Sequence, residues 1–497
     1  MKQLISQIEE KLRLGEHAWV RKQLSLLKPS QIERVHAVQL AVFAGRVHYP
    51  QFSLRLLNPF VRPENKFQLP ATERETAEYA VALHQIGAHH EAQQLLLALS
   101  PLDFAELHRY LAFSHIYQWD YAKAIPCLQA YLASAELAPY QRATTLLNLT
   151  AAHLYVADFE ASRFCLDELS AALATTNFEV LKGNCLELSA QLAFYNRDFK
   201  AAFAALGLAR TKFKDGSNLY AFFLAKWFAI GTLLEKGANA ETLGEVAKCR
   251  RHALDVAHYE SVRECDFFQA VVSEDKVLLN HVYMGTPYES YRERLERMTR
   301  GWDRPASYDW LIFDGKQVTR ILDLKLGREL HSDIDFGGKR KIVDVVSALS
   351  QDFYQPVTLG ALFFRLFKDL HFDPNTSANR IHQLLRRTRQ WFEENDIPLT
   401  TEMVGNRYLL KATASYSIRV HAEKLELDSK YQIPLERLHV HFGVREFTIK
   451  DVMECFGLPK STANRIVKYG ISNSIISNRV GQGMTYYTFT PSSASIR

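Results

Sequence analysis

The sequence has few cysteines, glycines and prolines for its length. Its 497 residues include 6 Cys, 22 Gly and 16 Pro. No two cysteines form a C-x-x-C pair, so we expect neither a disulfide framework nor a structural zinc site, and a reducing compartment fits this composition. The low glycine and proline content favours long regular elements over a turn-rich barrel. With 47% hydrophobic and 23% charged residues, the chain has the composition of a folded globular protein.

Long apolar stretches and targeting segments are also missing. The most apolar segment, residues 221–234, has 14 residues and includes Lys226, so it is too short and too charged to cross a bilayer. The first ten residues contain no apolar core of the length found in signal peptides. We therefore expect a cytoplasmic protein that does not enter a membrane.

Motifs of several common enzyme classes are absent. The chain contains no G-x-x-x-x-G-K-[ST], no H-E-x-x-H and no G-x-S-x-G. The glycine pair in residues 336–339 is too short to cradle a phosphate and is predicted to be a turn. His439 and His441 alternate as they would on a strand, but no third metal ligand lies nearby in the sequence. The sequence predicts a protein that is not an enzyme, with no catalytic residues, metal or cofactor.

A short pattern recurs through the first 300 residues. Its clearest copies are Asp120-Tyr121-Ala122-Lys123-Ala124, Asp158-Phe159-Glu160-Ala161-Ser162 and Asp198-Phe199-Lys200-Ala201-Ala202. With the weaker copies, the equivalent small residues lie at positions 20, 53, 92, 124, 162 and 202, spaced by 33, 39, 32, 38 and 40 residues. Small residues also stand at Ala112 and Thr150, in the preceding predicted helices. Because close helix packing needs small residues on both sides, the pattern predicts helical hairpins.

These features resemble a divergent tetratricopeptide repeat over residues 1–300. The resemblance implies stacked hairpins with a groove that binds a protein or peptide partner. Two interpretations are open for the histidines at 84, 89, 90, 108, 115 and 153. They form a metal or pH-sensing cluster, or they are solvated or hydrogen-bonded helix residues, which is the interpretation we favour. The recurring aromatic residues, including Trp119 and Tyr121, are interpreted as core.

The charge is divided unevenly along the chain. The net charge is +5 at pH 7. From Arg340 to Arg497 there are 21 Lys and Arg against 15 Asp and Glu, a net of +6, so the first 339 residues carry −1. An excess of basic residues at one end indicates a region that binds a polyanion.

Residues 308–412 alternate predicted strands and helices. Short strands are expected at 310–313 and 328–330. Helices are expected at 341–349, from a Thr358 N-cap, and from a start near residues 374–377 to about 392. The third helix buries Ile381, Leu385 and Phe392 on one face. Its opposite face, suited to the major groove of duplex DNA, carries Thr376, Asn379, Arg380, Gln383, Arg386 and Arg387.

A β-hairpin with Arg407 near its tip is predicted after this helix. The run Ile381-His382-Gln383-Leu384-Leu385-Arg386-Arg387, followed by Gly405-Asn406-Arg407-Tyr408-Leu409-Leu410, resembles the OmpR/PhoB-type winged helix. The resemblance implies that the third helix and the hairpin contact DNA. Leu385 stands where that family usually has Arg, and Arg407 stands where it has a second glycine.

A second helix-turn-helix is predicted within residues 440–492. Thr448 and Asp451 form a capping pair, and Gly457 lies where the first helix must end in a left-handed residue. A hairpin that turns at residues 481–483 follows the second helix, in the order that a winged helix requires. The residues predicted to contact DNA are Lys460, Ser461, Thr462, Asn464, Arg465, Lys468 and, on the hairpin, Arg479.

The sequence therefore predicts a mainly α protein in which a tetratricopeptide-like helical-hairpin solenoid precedes two winged helix-turn-helix (α+β) domains. The predicted domains are residues 1–300, 301–412 and 413–497. The whole resembles bacterial tetratricopeptide-repeat transcriptional regulators. We expect duplex DNA, a protein or peptide in the repeat groove and a second copy of the chain as partners. The alternative is a non-enzymatic scaffold in which the winged helices bind proteins. RNA binding has little support, because no stacking motif of the usual RNA-binding modules occurs.

Overall fold

A computed structural model describes most of the chain, namely residues 1–13, 16–63, 69–100, 106–134, 137–213, 218–299, 301–311, 320–330, 332, 334–336, 339–367, 370–422, 431–481 and 484–490. Within these ranges there are 23 α-helices and nine β-strands, which confirms the expectation of a mainly helical chain. One compact unit comprises Met1–Trp302 with Thr358–Ile381, and the other comprises Asp303–Val357 with His382–Arg497. The three predicted domain ranges and the two family resemblances stay predictions.

The first unit is built from helices joined by short connections. They are α1 (Lys2–Arg13), α2 (His17–Leu26), α3 (Arg34–Arg46), α4 (Pro50–Val61), α5 (Glu73–Gln85), α6 (His89–Leu97), α7 (Leu107–Ile116), α8 (Tyr121–Leu132), α9 (Pro139–Tyr155), α10 (Phe159–Ala174), α11 (Glu179–Tyr195), α12 (Phe199–Lys212), α13 (Asn218–Lys236), α14 (Ala240–Asp255), α15 (Tyr259–Ser273), α16 (Lys276–Met284) and α17 (Glu289–Met298). Each helix from α2 to α15 packs against the next one in sequence.

Six of these connections share one turn. A residue with a left-handed backbone follows the first helix, and the N–H of the next residue donates to the carbonyl oxygen five positions earlier. Such bonds run from Tyr49 to Ala44 (2.8 Å), Ala88 to Leu83 (2.9 Å), Asp120 to His115 (3.0 Å), Asp158 to His153 (2.9 Å), Asp198 to Ala193 (2.9 Å) and His258 to Ala253 (2.8 Å). The left-handed residues are His48, Gly87, Trp119, Ala157, Arg197 and Ala257. The turn reverses the chain tightly enough for the two helices to pack together.

The predicted starts of the second helices are confirmed. The carboxylates of Asp120, Asp158 and Asp198 accept the backbone N–H three residues later, which caps α8, α10 and α12. The six small-residue positions are at most 1% exposed, from Val20 to Ala202. The hydroxyl of Ser162 donates to the carbonyl oxygen of Thr150 at 3.3 Å, so the two helices of this hairpin approach closely where the sequence places small residues.

A later segment of the chain also belongs to the first unit. It contains α19 (Leu359–Leu366) and the first turns of α20 (Ser377–Glu394). The N–H of Gly360 donates to the carbonyl oxygen of Ile86 at 2.9 Å. A Cβ at Gly360 would lie 2.7 Å from that oxygen, and a Cβ at Gly87 would lie 1.9 Å from Oγ1 of Thr358. The α19 backbone therefore approaches the α5–α6 turn at a distance that only glycine permits.

The carboxylate of Glu91 on α6 fixes the connection between α19 and α20. One oxygen of Glu91 accepts the backbone N–H of Phe372 at 2.9 Å, and the other lies 3.1 Å from Nη2 of Arg62. Nδ1 of His371 lies 3.5 Å from the same carboxylate. The ring of His90 stacks on Phe364 with centroids 4.7 Å apart. Together these contacts hold this connection and α19 against α5 and α6.

The second unit contains the strands. They are β1 (Ser307–Leu311), β2 (Ile321–Asp323), β3 (Arg328–Leu330), β4 (Val357–Thr358, of which Thr358 belongs to the first unit), β5 (Leu399–Val404), β6 (Arg407–Ala412), β7 (Ser417–His421), β8 (Ile476–Gly481) and β9 (Met484–Phe489). One sheet has the order β1-β7-β2-β3, with β2 and β7 parallel; a second has the order β4-β6-β5; β8 and β9 form an antiparallel hairpin. The helices are α18 (Arg340–Leu349), most of α20, α21 (Gln432–Phe442), α22 (Ile449–Phe456) and α23 (Lys460–Ser472).

Helix α21 is anchored to the turn between β2 and β3. The guanidinium of Arg437 donates to the carbonyl oxygens of Leu326 (2.5 Å) and Gly327 (2.8 Å). It also makes two hydrogen bonds, of 2.8 and 2.6 Å, to the Asp335 carboxylate. Helix α21 is therefore attached to the four-stranded sheet within one unit.

Most predicted elements of this region are confirmed, with two corrections. Helices occur at all three predicted sites before the first hairpin. Thr358 occupies the N-cap position, but its side chain makes no capping hydrogen bond. His439 and His441 lie in α21, so the strand predicted there is wrong. Buried Leu435 and Leu438 on the same segment follow a helical period, and their burial determines the conformation. Residues 312–313, 337–338 and 482–483 of the predicted turns and strand ends lie outside the described residues.

Replacing Gly360 by alanine tests the contact between α19 and the α5–α6 turn. Because the added Cβ would meet backbone at 2.7 Å, we expect Gly360→Ala to destabilise the segment by roughly 1–3 kcal/mol. Hydrogen–deuterium exchange of α19 and urea unfolding would measure the effect. The matched control is Gly207→Ala in α12, where no atom lies within 4 Å of the added Cβ. Equal stability and equal exchange of α19 in the two variants would contradict the close contact between Gly360 and Ile86.

The histidines of the first unit include one close pair. Nδ1 of His84 and Nδ1 of His89 are 3.0 Å apart, and both rings stack on Tyr117. Burial, with the charges of His89 and His115, lowers the pKa of His84 to about 3. Burial, with the charge of Arg365, lowers the pKa of His89 to about 4. Both rings are therefore neutral at neutral pH and share a hydrogen bond.

The His84–His89 pair predicts that the first unit becomes less stable as the pH falls. Both folded pKa values lie below the ordinary value, so the unfolded chain binds more protons once the pH falls below about 6.5. We expect the free energy of unfolding to fall between pH 6.5 and 4 by up to about 1.4 kcal/mol per pH unit for each histidine. Chemical denaturation across this range measures it. The double variant His84→Gln with His89→Gln should flatten the dependence of the free energy of unfolding on pH. The control His17→Gln, at an exposed site, should leave that dependence unchanged.

Candidate nucleic-acid interface

Helix α20 has the two faces that the sequence predicts. Ile381, Thr388 and Phe392 are fully buried, and Leu385 is 3% exposed. The six predicted binding residues, Thr376, Asn379, Arg380, Gln383, Arg386 and Arg387, are all exposed. Their spacing places them along one side of a continuous helix. Within the described part of the chain no carboxylate forms an ion pair with Arg380, Arg386 or Arg387, so these cations are available to an external anion.

The turn that leads into α20 contains a capping arrangement around Asp373. The carboxylate of Asp373 accepts the backbone N–H groups of Asn375 and Thr376, both at 2.8 Å, and the Thr376 hydroxyl at 3.1 Å. Thr376, a predicted contact, therefore donates both its N–H and its hydroxyl to Asp373. Asp373 adds a negative charge at this end of the helix, and sequence reasoning did not identify it. The basic residues of α20 lie further along the helix.

The basic run from Arg386 to Arg389 is divided between two roles. Arg386 and Arg387 are exposed, whereas Arg389 is half-buried and donates to the carbonyl oxygen and the hydroxyl of Thr401 on β5, both at 3.2 Å. Nε2 of His382 and the hydroxyl of Tyr408 on β6 are 2.8 Å apart. These bonds tie α20 to the β5–β6 hairpin.

The β5–β6 hairpin turns at Gly405 and Asn406. Gly405 has a φ of 62°, which suits the two-residue turn. Arg407 begins β6 opposite Val404, so it lies beside the tip as predicted. Its side chain is half-buried, whereas Val404, Gly405 and Asn406 at the tip are exposed.

The second helix-turn-helix has the predicted caps and core. Thr448 and Asp451 form a reciprocal capping box at the start of α22, and Gly457 ends it with a φ of 61°. Ala463, Ile466 and Val467 of α23 are buried in one core with residues of β8 and β9. On the opposite side Lys460, Ser461, Arg465 and Lys468 are exposed, while Thr462 and Asn464 are half-buried. Arg465 donates to the Thr462 hydroxyl at 3.1 Å.

Arg479 on β8, which the sequence predicts to contact DNA, is paired with a carboxylate of the chain itself. Its guanidinium makes two hydrogen bonds of 2.5 Å to the carboxylate of Glu446 and lies over the ring of Tyr486, 5.1 Å from its centroid. These hydrogen bonds lower the pKa of Glu446. The pairing joins residues 33 positions apart, so no local signal could reveal it.

The structure thus brings the predicted residues together in two sets. One set lies along α20 with Arg407 at the neighbouring hairpin, and the other lies on α23 with Arg479 on β8. Each set combines amide or hydroxyl groups with cations, which can pair with base edges and phosphates in duplex DNA. Within the described ranges, no three His, Cys, Asp or Glu side chains are grouped so that they could hold a metal ion.

Comparison with protein-family models and with curated proteins gave no match to this chain. Among the described helices, none has the length and apolarity needed to cross a membrane. Any function must therefore be inferred from the geometry of the residues above.

The Arg479–Glu446 pair yields a test of the β8–β9 hairpin. Glu446→Gln keeps a hydrogen-bonding side chain but removes the charge that neutralises Arg479. If this hairpin lies on DNA, we expect affinity to rise about two- to fivefold and the salt dependence to steepen by about one phosphate contact. Fluorescence anisotropy with duplex DNA at several salt concentrations measures both. Glu454→Gln, an equal charge change on exposed α22, is the control. Identical effects of the two variants would exclude a local role for Arg479.

Proposed function

We propose that this chain is a DNA-binding transcriptional regulator of the cytoplasm that resembles bacterial tetratricopeptide-repeat regulators. In this proposal the helices of residues 1–300 form a repeat domain that senses a partner. Residues 301–412 and 413–497 are winged helix-turn-helix domains that bind duplex DNA. The main support is that two helices, α20 and α23, each combine a buried face with an exposed face of basic and amide residues and are each followed by a β-hairpin.

The charges on these faces favour a polyanion. Arg380, Arg386, Arg387, Lys460 and Lys468 have no carboxylate partner among the described residues. A surface that bound a neutral protein would gain little from leaving such cations unpaired. Phosphate contacts from these residues would supply salt-dependent affinity, and Asn379 and Gln383 would supply base contacts.

A double substitution on α20 tests this proposal. Arg386→Ala with Arg387→Ala removes two exposed cations without touching the buried face. We expect weaker binding to duplex DNA and a salt slope that is lower by about 1.8, because two counterions fewer are released. The control is Lys200→Ala with Lys276→Ala, which removes two exposed charges from α12 and α16. It should leave the affinity for DNA and the salt slope unchanged. An unaltered slope in the α20 variant would remove that helix from the interface.

The DNA targets can be found even though the operator sequence is unknown. The purified chain is incubated with sheared genomic DNA of its own organism at near-physiological salt, and the retained DNA is sequenced. A small number of sharp peaks is expected for a sequence-specific regulator. Absence of retention even at low salt would overturn DNA binding.

One observation favours a second candidate, a non-enzymatic protein scaffold. Gly360 of α19 donates to the carbonyl oxygen of Ile86 between α5 and α6, so part of the predicted winged helix packs against helices of the first unit. Under this alternative the exposed face of α20 would bind a second protein. Size-exclusion chromatography with and without duplex DNA separates the two candidates, since only the regulator should co-elute with DNA.

A further inference from the structure

The repeat unit contains an aromatic cavity beside α8, α9 and α17. Its volume is about 180 Å³, and Trp119, Tyr121, Tyr155 and Tyr291 contribute rings to its wall. Tyr121 stacks on Tyr155 with centroids 4.7 Å apart, and Trp119 meets Tyr291 edge-on at 4.8 Å. The rings hold one another in place, so the cavity is preformed. Exposed Ala122, Glu293 and Arg297 also line it and mark its opening to solvent.

Arg294 borders this cavity with a buried guanidinium. The residue is 5% exposed, and its guanidinium carbon lies 4.6 Å from the ring centroid of Phe267 and 5.2 Å from that of Tyr155. Nη2 donates to the hydroxyl of Tyr195. Nη1 is buried and has no hydrogen-bond partner among the described residues, and the same is true of the Tyr291 hydroxyl. Two unsatisfied donors therefore belong to residues of the cavity wall.

The charge of Arg294 also lacks a counterion. The nearby carboxylate of Glu264 is paired with Lys226, and Glu260 lies 3.5 Å from Arg263. No carboxylate of the described chain lies within ion-pair distance of Arg294. Burial of an uncompensated charge and of unpaired donors is unfavourable, so an arrangement of this kind favours binding of an acceptor anion.

We propose that the cavity binds a small aromatic carboxylate. The carboxylate accepts hydrogen bonds from Arg294 and from the Tyr291 hydroxyl, and the flat ring packs against the aromatic wall to which Trp119, Tyr121 and Tyr155 contribute. An apolar cavity of about 150 Å³ accommodates benzene, so this volume suits a single ring with its carboxylate. At the opening the charge of Arg297 offsets that of Glu293, so the buried charge of Arg294 determines the preference for an anion. The same chemistry occurs in free aryl carboxylates and in the C-terminal phenylalanine of a peptide.

Titration calorimetry of the full chain without DNA tests the proposal independently of DNA binding. The probes are benzoate, phenylacetate, the dipeptide Gly-Phe and the uncharged isostere benzamide. We expect at least one carboxylate to bind and benzamide to bind roughly tenfold or more weakly, because it leaves the Arg294 charge unpaired. Preference for benzoate and phenylacetate identifies a free acid as the ligand, and preference for Gly-Phe identifies a peptide terminus. Failure of all three carboxylates to exceed benzamide overturns the site.

Two variants locate the binding. Arg294→Gln should abolish the preference for carboxylate over benzamide. Ala122→Trp fills the cavity from its exposed rim and leaves Arg294 in place, so it remains informative if Arg294→Gln fails to fold. Ala130→Trp, on an exposed position of the same helix, is the matched control and should bind as the unaltered chain does. Retained binding in Ala122→Trp would place the ligand elsewhere and overturn the proposal.

Discussion

The buried carboxylate of Glu91 is the interaction on which the attachment of the α19–α20 connection to the first helices depends. It neutralises Arg62, lies beside His371 and holds the backbone N–H of Phe372. Residues 281 positions apart in the chain are thereby joined. Since removal of one partner would leave the others without compensation, the three contacts stabilise one another. Helix α20 begins only a few residues later, so an acidic residue of α6 holds the connection that leads into the predicted recognition helix.

Features encoded by local sequence could be predicted well. The aspartates at 120, 158 and 198 are followed by helices because a carboxylate there caps the free N–H groups. The small residues twelve positions apart, such as Thr150 and Ser162, allow the helices to touch. The two faces of α20 and the Thr448–Asp451 capping box follow from spacing alone. In each case the deciding interaction joins residues close in sequence, or a periodic pattern records which side is buried.

Features that depend on distant residues could not be predicted. The sequence predicts Arg479 to be a free cation on a hairpin, because its ion-pair partner Glu446 lies 33 positions away in the chain. The alternation of His439 and His441 suggested a strand, but packing of Leu435 and Leu438 requires a helix. Tyr121 packs against a hydrophobic core cluster, in agreement with the core interpretation, but the sequence does not indicate that Trp119 and Tyr121 also line a cavity beside Arg294. Similarly, nothing near Gly360 in the sequence indicates that its partner is the carbonyl oxygen of Ile86.

The glycines at 87 and 360 have a consequence for how such a chain can diverge. Any side chain at either position would collide with the opposing segment, so the contact between α19 and the α5–α6 turn accepts almost no variation. The exposed face of α20 meets no such restriction, and Asn379 or Gln383 can be exchanged without disturbing its packing. Duplicated copies of this chain could therefore acquire new surface specificities one residue at a time while inheriting the same internal attachment.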